Sequence, residues 1–529
     1  MKNIIIYPVA LFILLLTSCK KEWLDKAQPQ TNLATDKWGS TSDLERLIAG
    51  AYYGISGYEG FRGIIGLQHN HEALLSDLGY LHKNAVTGDF ENTLYDRNIG
   101  IRNDVSLYAN MWRGAYMGLA LSNEIIGWVE KNGAFKDQNG PLWTDRIVGE
   151  ALFLRAWINF TLVRMHGLPF GADNSSKSII LKTAPSKEPF PNPERATVQQ
   201  VYDQILADLN KAATLLPNAY RANIDPLEYQ DRANRSAAHF LLARVYFQMK
   251  DLPKAKQFSD SVLSSNKFPL NQDPIEAFNK TGLAAKGSEV VWQYVQYSTA
   301  QQQWKASPIG YMFGFTNRGS NTVNGGRLIS ASDAFLNEVG WSANSLTITS
   351  LPSGTPPGVQ PTANNFNISS TDKRLAQLWK AIPGGYDPRT EFTAYTRTYV
   401  WCNKSNRNTV GSNLLFSVPF MRSAELYLTR AYILFTQGDK AAATADLNAV
   451  RQRAGLTPID AADLTVNMIH QERMRELTFE DDRLYYLQAI GLPIPPGDRT
   501  GIAPLDWKSA TLVIPIPNIE TDINPNAGK

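Results

Sequence analysis

The sequence predicts a mainly α-helical protein, in which tetratricopeptide-like helical hairpins support an irregular, loop-rich subdomain. Two observations predict this fold. Pairs of amphipathic helical stretches recur along the chain, and the stretch 304–420 is rich in Gly, Ser, Thr, Asn and Pro and mostly lacks helical periodicity. Because long loops on a rigid scaffold usually carry recognition, we expect the ligand to bind in that stretch.

The chain begins with the features of a lipoprotein signal. A short positive start precedes an apolar run at 4–16, which is shorter than the ~20 residues that span a bilayer. The run ends in LTSC at 16–19, which resembles a bacterial lipobox, a signal whose cysteine becomes the lipid-carrying N-terminus. We predict a signal peptide over 1–18, a lipid anchor at Cys19 and a tether over 19–35. The alternative is an ordinary signal peptide with an incidental cysteine.

Composition excludes several functional classes. The 529 residues carry a net charge of +3, and Lys and Arg are interspersed with Asp and Glu, so no nucleic-acid partner is expected. No later apolar run approaches the ~18 residues of a membrane-spanning helix. If Cys19 is lipidated, Cys402 remains as a single thiol, which excludes an intramolecular disulfide and a thiol pair.

Three helical segments share one local pattern, in which an arginine stands between apolar residues and an aromatic residue follows. They are FLRAW at 153–157, LARVY at 242–246 and LTRAY at 428–432. Around the third segment, one apolar stripe covers 424–435, a Gln-Gly-Asp break follows, and a second stripe covers 443–454. Two such helices with a tight turn form a hairpin of about 34 residues, the size of a tetratricopeptide unit.

Other stretches extend this helical scaffold. We predict a first hairpin from 119–129 and 147–165, a further helix over 197–216, and a second hairpin from 237–249 and 254–263. The stretch 36–55 also looks helical, 57–103 looks rich in loops, and short helices are expected near 331–339 and 373–379. Generic helical packing is the alternative, but the recurring hairpins favour stacked repeats.

The residues that could support catalysis or metal binding form no convincing site. His69 and His71, in the sequence HNH, lack a third ligand in view and are interpreted as polar loop residues. Glu472, Glu476 and the Asp481–Asp482 pair lie among arginines, which would hold these carboxylates ionised in structural ion pairs. We therefore predict no enzymatic activity, no metal site and no cofactor.

Six motifs occur in a recognisable order. They are CKKEWLDKAQPQ at 19–30, MWRGAYMGLALSNEII at 111–126, EALFLRAWINFTLVRMHGLPF at 150–170, FMRSAELYLTRAYILFTQGDKAAATADLNAVRQRAGL at 420–456, IHQERMRELTFEDDRLYYLQAIG at 469–491 and LVIPIPNIETDINPNAG at 512–528. Together they resemble the SusD/RagB family of Bacteroidetes outer-membrane lipoproteins over nearly the whole chain. One departure is Asp482, where the family often has a glycine.

The resemblance implies both an organisation and a function. It implies a mainly α-helical fold of about four tetratricopeptide-like helical hairpins with an irregular, loop-rich ligand-binding subdomain. The implied regions are an N-terminal region with helical repeats over 36–303, the ligand-binding subdomain over 304–420 and a C-terminal repeat region over 421–529. It also implies a non-catalytic, surface-exposed oligosaccharide-binding lipoprotein, anchored in the outer membrane by its acyl (palmitate) chains. Such a protein acts as the lid of a SusC-like TonB-dependent transporter in nutrient uptake. A surface glycan hydrolase, or a helical scaffold that binds only protein or peptide, remains as an alternative.

Glycan binding suggests candidate site residues. Sugar rings stack their C–H faces on aromatic rings, and their hydroxyls need polar side chains. In the family, the loop before the early Trp helix and the loops after the second repeat form the ligand site, and the segments at these positions in this sequence supply both kinds of residue. The candidates are Tyr80, His82, Asn84, Trp304, Tyr311 and Arg327. Among them, Trp304 lies in QQQWKASP without a helical stripe that would bury it, so we expect it to be a stacking platform.

Overall fold

The computed structural model describes residues 38–56, 63–82, 89–98, 106–135, 142–186, 192–221, 224–278, 280, 284–296, 329–348, 366–382, 397–404 and 416–528. Over these residues the protein is mainly helical, and its few strands are short, which confirms the predicted fold class. None of the described helices is both long enough and apolar enough to cross a membrane.

Fifteen α-helices occur in the described ranges. They are α1 Thr41–Ser56, α2 Ile64–Leu75, α3 Asp89–Tyr95, α4 Ser106–Asn132, α5 Leu142–His166, α6 Val198–Leu215, α7 Arg235–Gln248, α8 Leu252–Leu263, α9 Asp333–Glu338, α10 Lys373–Leu378, α11 Ser423–Thr436, α12 Lys440–Arg453, α13 Val466–Leu477, α14 Arg483–Ile490 and α15 Asn518–Thr521.

The described strands form four antiparallel pairs. They are β1 Gly79–Leu81, β2 Val290–Gln296, β3 Ile329–Ala331, β4 Thr347–Ile348, β5 Ile368–Ser369, β6 Trp379–Ile382, β7 Tyr399–Cys402 and β8 Phe416–Arg422. The pairs are β1 with β3, β2 with β8, β4 with β5 and β6 with β7.

The predicted hairpins are confirmed. Helices α4 and α5 pack together, as do α7 and α8, and α11 and α12, while α6 packs on both α5 and α7. Helix α8 also packs on α11, so the stacking of helices continues across the 159 residues of sequence between Leu263 and Ser423. Local chemistry sets the helix ends. The Thr197 hydroxyl and the Gln200 side chain form a capping box at the start of α6, and Gly455, with φ +79°, follows the end of α12.

The shared arginines join neighbouring helices. Arg155 donates two hydrogen bonds, of 2.8 and 2.6 Å, to the carboxylate of Asp208 on α6. Arg244 on α7 makes the same two-pronged contact with Glu425 on α11, and Arg430 on α11 makes it with Asp446 on α12. The sequence pattern therefore marks, in each unit, an arginine that is held by a carboxylate of another helix of the stack.

Replacing Arg430 with Ala is expected to lower the free energy of unfolding by about 1.5–3 kcal/mol, because Asp446 is buried and loses both charge-assisted hydrogen bonds. A double-mutant cycle with Asp446→Ala in urea unfolding measures the coupling. We expect the double variant to lose much less stability than the two single losses added together. Simple additivity would show that the pair contributes nothing beyond its separate side chains.

The pair β2–β8 brackets the loop-rich stretch. Trp292 on β2 is buried and makes edge contacts with Phe153 and Trp157 on α5, at centroid distances of 5.0 and 5.4 Å. Phe420 on β8 packs on both Trp157 and Trp292. Both ends of the stretch are thus fixed on the helical core by aromatic packing. The division into regions at 304 and 420 stays a prediction.

A buried ion-pair network connects this stretch to the C-terminal helices. At its centre, the Arg422 guanidinium contacts the carboxylates of Glu289, Glu476 and Glu480. Arg374 on α10 binds Glu472 at 2.7 Å, and the Lys404 ammonium donates to the backbone carbonyl oxygens of Glu476 and Thr478. The predicted structural role of Glu472 and Glu476 is therefore confirmed.

The electrostatics of the network follow from its composition. Burial alone would raise the pKa of Glu476, but Arg453, Arg422 and Arg374 lower it well below its usual range. Burial would likewise raise the pKa of Glu480, and Arg422 and Lys404 lower it. These carboxylates are ionised at neutral pH and cannot serve as general acids.

Two sequence interpretations are wrong. The described part of the stretch 57–103, which was expected to be rich in loops, holds α2, β1 and α3. His69 and His71, which were expected to be polar loop residues, are buried in α2: His69 Nδ1 bonds to the Ile65 carbonyl oxygen and His71 Nδ1 to the Tyr485 hydroxyl. Helix α2 is buried on most sides. It therefore lacks the amphipathic stripe from which a surface helix can be predicted. Near the departure from the family's motif, Asp481 has a left-handed backbone, with φ +64°, which is the conformation that favours glycine, whereas Asp482 has φ −114°.

Candidate functional site

Aromatic side chains from two strand pairs meet in one cluster, to which the loop-rich stretch contributes Tyr399 and Trp401. Tyr80 lies on β1, His82 follows that strand, and Tyr399 and Trp401 lie on β7. Residues two apart on an extended strand share a face, so each strand directs two rings to the same side. Strand β3 pairs with β1 and also lies against β7, which brings the two faces together. We call these four residues and Arg397 the aromatic cluster.

The rings of the aromatic cluster are in direct contact. His82 stacks on Trp401 at a centroid distance of 4.7 Å and meets Tyr399 edge-on at 4.5 Å. Tyr80 stacks on Tyr399 at 5.6 Å. Trp401 is fully buried and Tyr399 nearly so, whereas Tyr80 and His82 are half-buried. The buried rings therefore form a base on which two partly exposed rings rest.

Arg397 adds a charged group to this surface. Its guanidinium lies 4.8 Å from the ring centre of Tyr80 and 5.0 Å from that of Tyr399, which is the range of cation–π contacts. It also forms ion pairs with Asp333 and, at 3.1 Å, with Asp498. With a side chain that is 33% exposed, Arg397 keeps donors near the surface while two carboxylates balance its charge.

Hydrogen bonds outside the cluster fix its position. His82 Nε2 lies 3.0 Å from the Ser330 hydroxyl on the paired strand β3. The carboxylate of Asp498 accepts hydrogen bonds from the backbone N–H groups of Asp333 and Ala334 in the first turn of α9. The residue that holds Arg397 is thus itself held by a helix N-terminus, where a negative charge is stabilised.

Two buried arginines secure the helix that leads into β1. Arg499 donates to the carbonyl oxygens of Leu74 and Ser76, and Arg97 donates to that of Leu75, at the C-terminal end of α2. Positive charge is favourable at the end of a helix whose carbonyl groups lack partners. Arg499 also covers the ring of Tyr95, which meets Tyr80 edge-on at 6.3 Å.

Two titratable groups in and beside the cluster are uncharged at neutral pH. Burial and the neighbouring Tyr399 raise the pKa of Tyr80, so its phenol is neutral and can donate a hydrogen bond at neutral pH. Burial raises the pKa of the adjacent Cys402 thiol to about 11, which keeps it protonated and unreactive. Over the described ranges, no three His, Cys, Asp or Glu side chains are grouped as metal ligands.

The sequence-predicted site residues divide into two groups. Tyr80 and His82 lie together in the aromatic cluster, on and beside a strand instead of in a polar loop. Cys19, Asn84, Trp304, Tyr311 and Arg327 lie outside the described residues.

Three cluster residues were missed by sequence reasoning: Arg397, Tyr399 and Trp401. They alternate with smaller residues in RTYVW at 397–401, so every second residue is large and either aromatic or charged. This period of two is typical of a β-strand and could have identified them.

Comparison with known protein families identifies the chain. Residues 22–247 match the family profile described as "Starch-binding associating with outer membrane", of the SusD-like type, and residues 362–487 match the profile of the SusD family. Together the two matches cover roughly two thirds of the sequence. The chain belongs to the SusD family. The resemblance inferred from its motifs is therefore confirmed.

Solved structures share the fold of this SusD-family chain. A SusD superfamily protein from Bacteroides thetaiotaomicron VPI-5482 is 20% identical, with a TM-score of 0.70 over 92% of this chain and 99% of the other. A SusD-like carbohydrate binding protein from Bacteroides vulgatus ATCC 8482 is 18% identical, with a TM-score of 0.69 over 92% and 97%. Surface glycan-binding protein A from Bacteroides uniformis is 18% identical, with a TM-score of 0.67 over 93% and 100%. A search of curated proteins gives no match.

Proposed function

We propose that this SusD-family protein is a non-catalytic, surface-exposed lipoprotein that binds oligosaccharides at the aromatic cluster. In this proposal a lipid on Cys19 holds it in the outer membrane, and it acts as the lid of a SusC-like TonB-dependent transporter that imports the bound ligand. The observation that carries the binding proposal is the half-buried pair Tyr80 and His82, resting on the buried rings of Tyr399 and Trp401.

The geometry of the cluster supports a sugar ligand. A pyranose ring can stack its C–H face on Tyr80 while its hydroxyl groups accept hydrogen bonds from Arg397 and donate to neighbouring carboxylates. The charge of Arg397 is balanced by Asp333 and Asp498, which favours a neutral ligand at this position over an acidic one. Asn84, Trp304, Tyr311 and Arg327, which lie outside the described residues, are proposed to contribute further contacts to the ligand.

The membrane and transporter parts of the proposal are supported by the sequence and by the family. The lipobox-like LTSC at 16–19 precedes a polar tether, and several acyl chains would provide firm anchoring. The SusD-like family profile carries a description of association with the outer membrane.

Replacing Tyr80 with Ala is expected to weaken the binding of a glycan that the wild type binds by roughly tenfold or more. Stacking of a nucleic-acid base on an aromatic side chain contributes about 1–3 kcal/mol, and we use this range as the scale for a sugar ring on Tyr80. A loss of about 1.4 kcal/mol in binding free energy is a factor of ten in affinity. Isothermal titration calorimetry measures the affinity, and thermal unfolding measures the stability, which should change little because Tyr80 is half-buried.

Tyr53→Ala is the matched control, since Tyr53 is an exposed tyrosine of α1 outside the aromatic cluster. Its affinity for glycan should equal that of the wild type. Unchanged affinity in Tyr80→Ala, with correct folding, would remove the aromatic cluster from the proposed site.

A further inference from the structure

One cavity of the described structure shares no residue with the aromatic cluster. Its volume is about 540 Å³, which is within the range of roughly 300–1,000 Å³ for small-molecule sites. One wall is formed by the C-terminal end of α5 and the segments that contain Lys177 and Arg195. The other wall is the apolar segment of residues 513–516.

The apolar wall is fixed to the end of α5. The backbone N–H of Ile514 donates to the Met165 carbonyl oxygen at 2.9 Å, and the Ile514 carbonyl oxygen lies 2.9 Å from His166 Nδ1. His166 is buried, and its Nε2 has no hydrogen-bond partner in the parts of the chain that the structure describes. Burial lowers the pKa of His166 to about 4, so the imidazole is neutral at physiological pH and adds no charge to the cavity.

Arg195 provides the partly buried charge of the cavity. Its Nε and Nη2 donate to the backbone carbonyl oxygens of Ser178 and Lys177, at 2.8 and 2.9 Å. Within the described ranges, no carboxylate lies within ion-pair distance of this guanidinium. Arg155, in contrast, donates to both carboxylate oxygens of Asp208. Burial lowers the pKa of Arg195, the sign of a cation that has lost solvent without gaining a counter-charge.

A partly buried cation without a counter-ion is costly, and an anionic ligand would remove that cost. A guanidinium recognises carboxylate and phosphate groups through parallel hydrogen bonds. Lys177 can assist, because it is exposed and its 3.3 Å pair with the exposed Glu194 is weak. The apolar wall at 513–516 would then contact the body of the ligand.

From this arrangement we infer that the cavity beside Arg195 is a binding site for a small organic anion, with a carboxylate or phosphate group on the guanidinium and a short apolar chain against residues 513–516. The inference does not depend on the proposed glycan site, because the two sites share no residue.

The test uses three six-carbon probes with the full-length protein: hexanoate, hexyl phosphate and the neutral 1-hexanol. Saturation-transfer NMR and calorimetry should show that at least one anion binds at least tenfold more tightly than 1-hexanol, and comparison of the two anions identifies the preferred group. Arg195→Gln should remove this preference. Arg221→Gln, which changes an exposed arginine paired with Asp225, should retain it.

Two outcomes would overturn the inference: no binding of either anion at millimolar concentration, or equal anion binding by the wild type and Arg195→Gln. If Arg195→Gln fails to fold, as judged by circular dichroism, Val513→Glu replaces it. That variant places a carboxylate in the same cavity, at a half-buried position, and should also abolish anion binding. Retained binding in a folded Val513→Glu variant would equally overturn the inference.

Discussion

Replacing Arg422 with Ala is expected to lower the free energy of unfolding by about 3–5 kcal/mol, the usual cost of breaking a buried ion pair by removing one partner. Arg422 is 2% exposed and contacts three carboxylates, those of Glu289, Glu476 and Glu480. Without the guanidinium, these buried negative charges repel one another and depend on Arg453, Arg374 and Lys404 alone. Urea unfolding followed by circular dichroism measures the loss.

Lys211→Ala is the control for this substitution. Lys211 and Glu130 form an exposed pair at 3.4 Å, and exposed pairs contribute about 0–1 kcal/mol. We expect Lys211→Ala to unfold at nearly the wild-type urea concentration. If Arg422→Ala were as stable as Lys211→Ala, the ion-pair network around Arg422 would not be needed to hold β8 and α10 against the C-terminal helices.

Replacing Trp401 with Ala is expected to cost about 3–5 kcal/mol of stability and to abolish most glycan binding. Trp401 is fully buried and supports His82 through the stacked contact at 4.7 Å. Removing the indole leaves a cavity beneath the cluster, so His82 and Tyr399 lose the surface that orients them. Urea unfolding measures the stability, and calorimetry with a retained glycan measures the binding at a temperature at which the variant is folded.

Trp379→Ala separates the two effects. Trp379 is also fully buried, but it pairs with Cys402 in the β6–β7 register and faces the main core beside Phe335 and Phe479. We expect a similar loss of stability and nearly unchanged affinity for glycan. Equal loss of affinity in both variants would mean that the binding defect follows general destabilisation, and the aromatic cluster would lose its special role.

The helical scaffold could be predicted from sequence because its signal is local. The stripes around Arg430, the Gln-Gly-Asp break and Gly455 all lie within one hairpin, and the structure places helices α11 and α12 there. Helix α2 was missed for the opposite reason. It is surrounded by other elements, so apolar and polar residues such as Leu74 and His71 are buried alike and no periodic stripe remains.

The aromatic cluster could be predicted only in part, because it is assembled from distant strands. Tyr80 and Tyr399 are separated by more than 300 residues, and they meet because β1 pairs with β3, which also lies against β7. The charge balance of Arg397 with Asp333 and Asp498 likewise depends on three separate segments. Motif resemblance identified the family, whereas the register of short strands, which a single sequence does not encode locally, decides which side chains meet.

The most direct test of the central claim is affinity electrophoresis of the wild type and Tyr80→Ala on a panel of polysaccharides, with a reducing-sugar assay on every polysaccharide that retains the wild type. We predict that at least one polysaccharide retards the wild type, that Tyr80→Ala migrates faster on the same gel, and that no reducing ends are released. Release of reducing ends that is lost on substitution of a single carboxylate would contradict the proposal and indicate a hydrolase. Migration of the wild type unaffected by every polysaccharide would contradict glycan binding and favour a scaffold for protein or peptide.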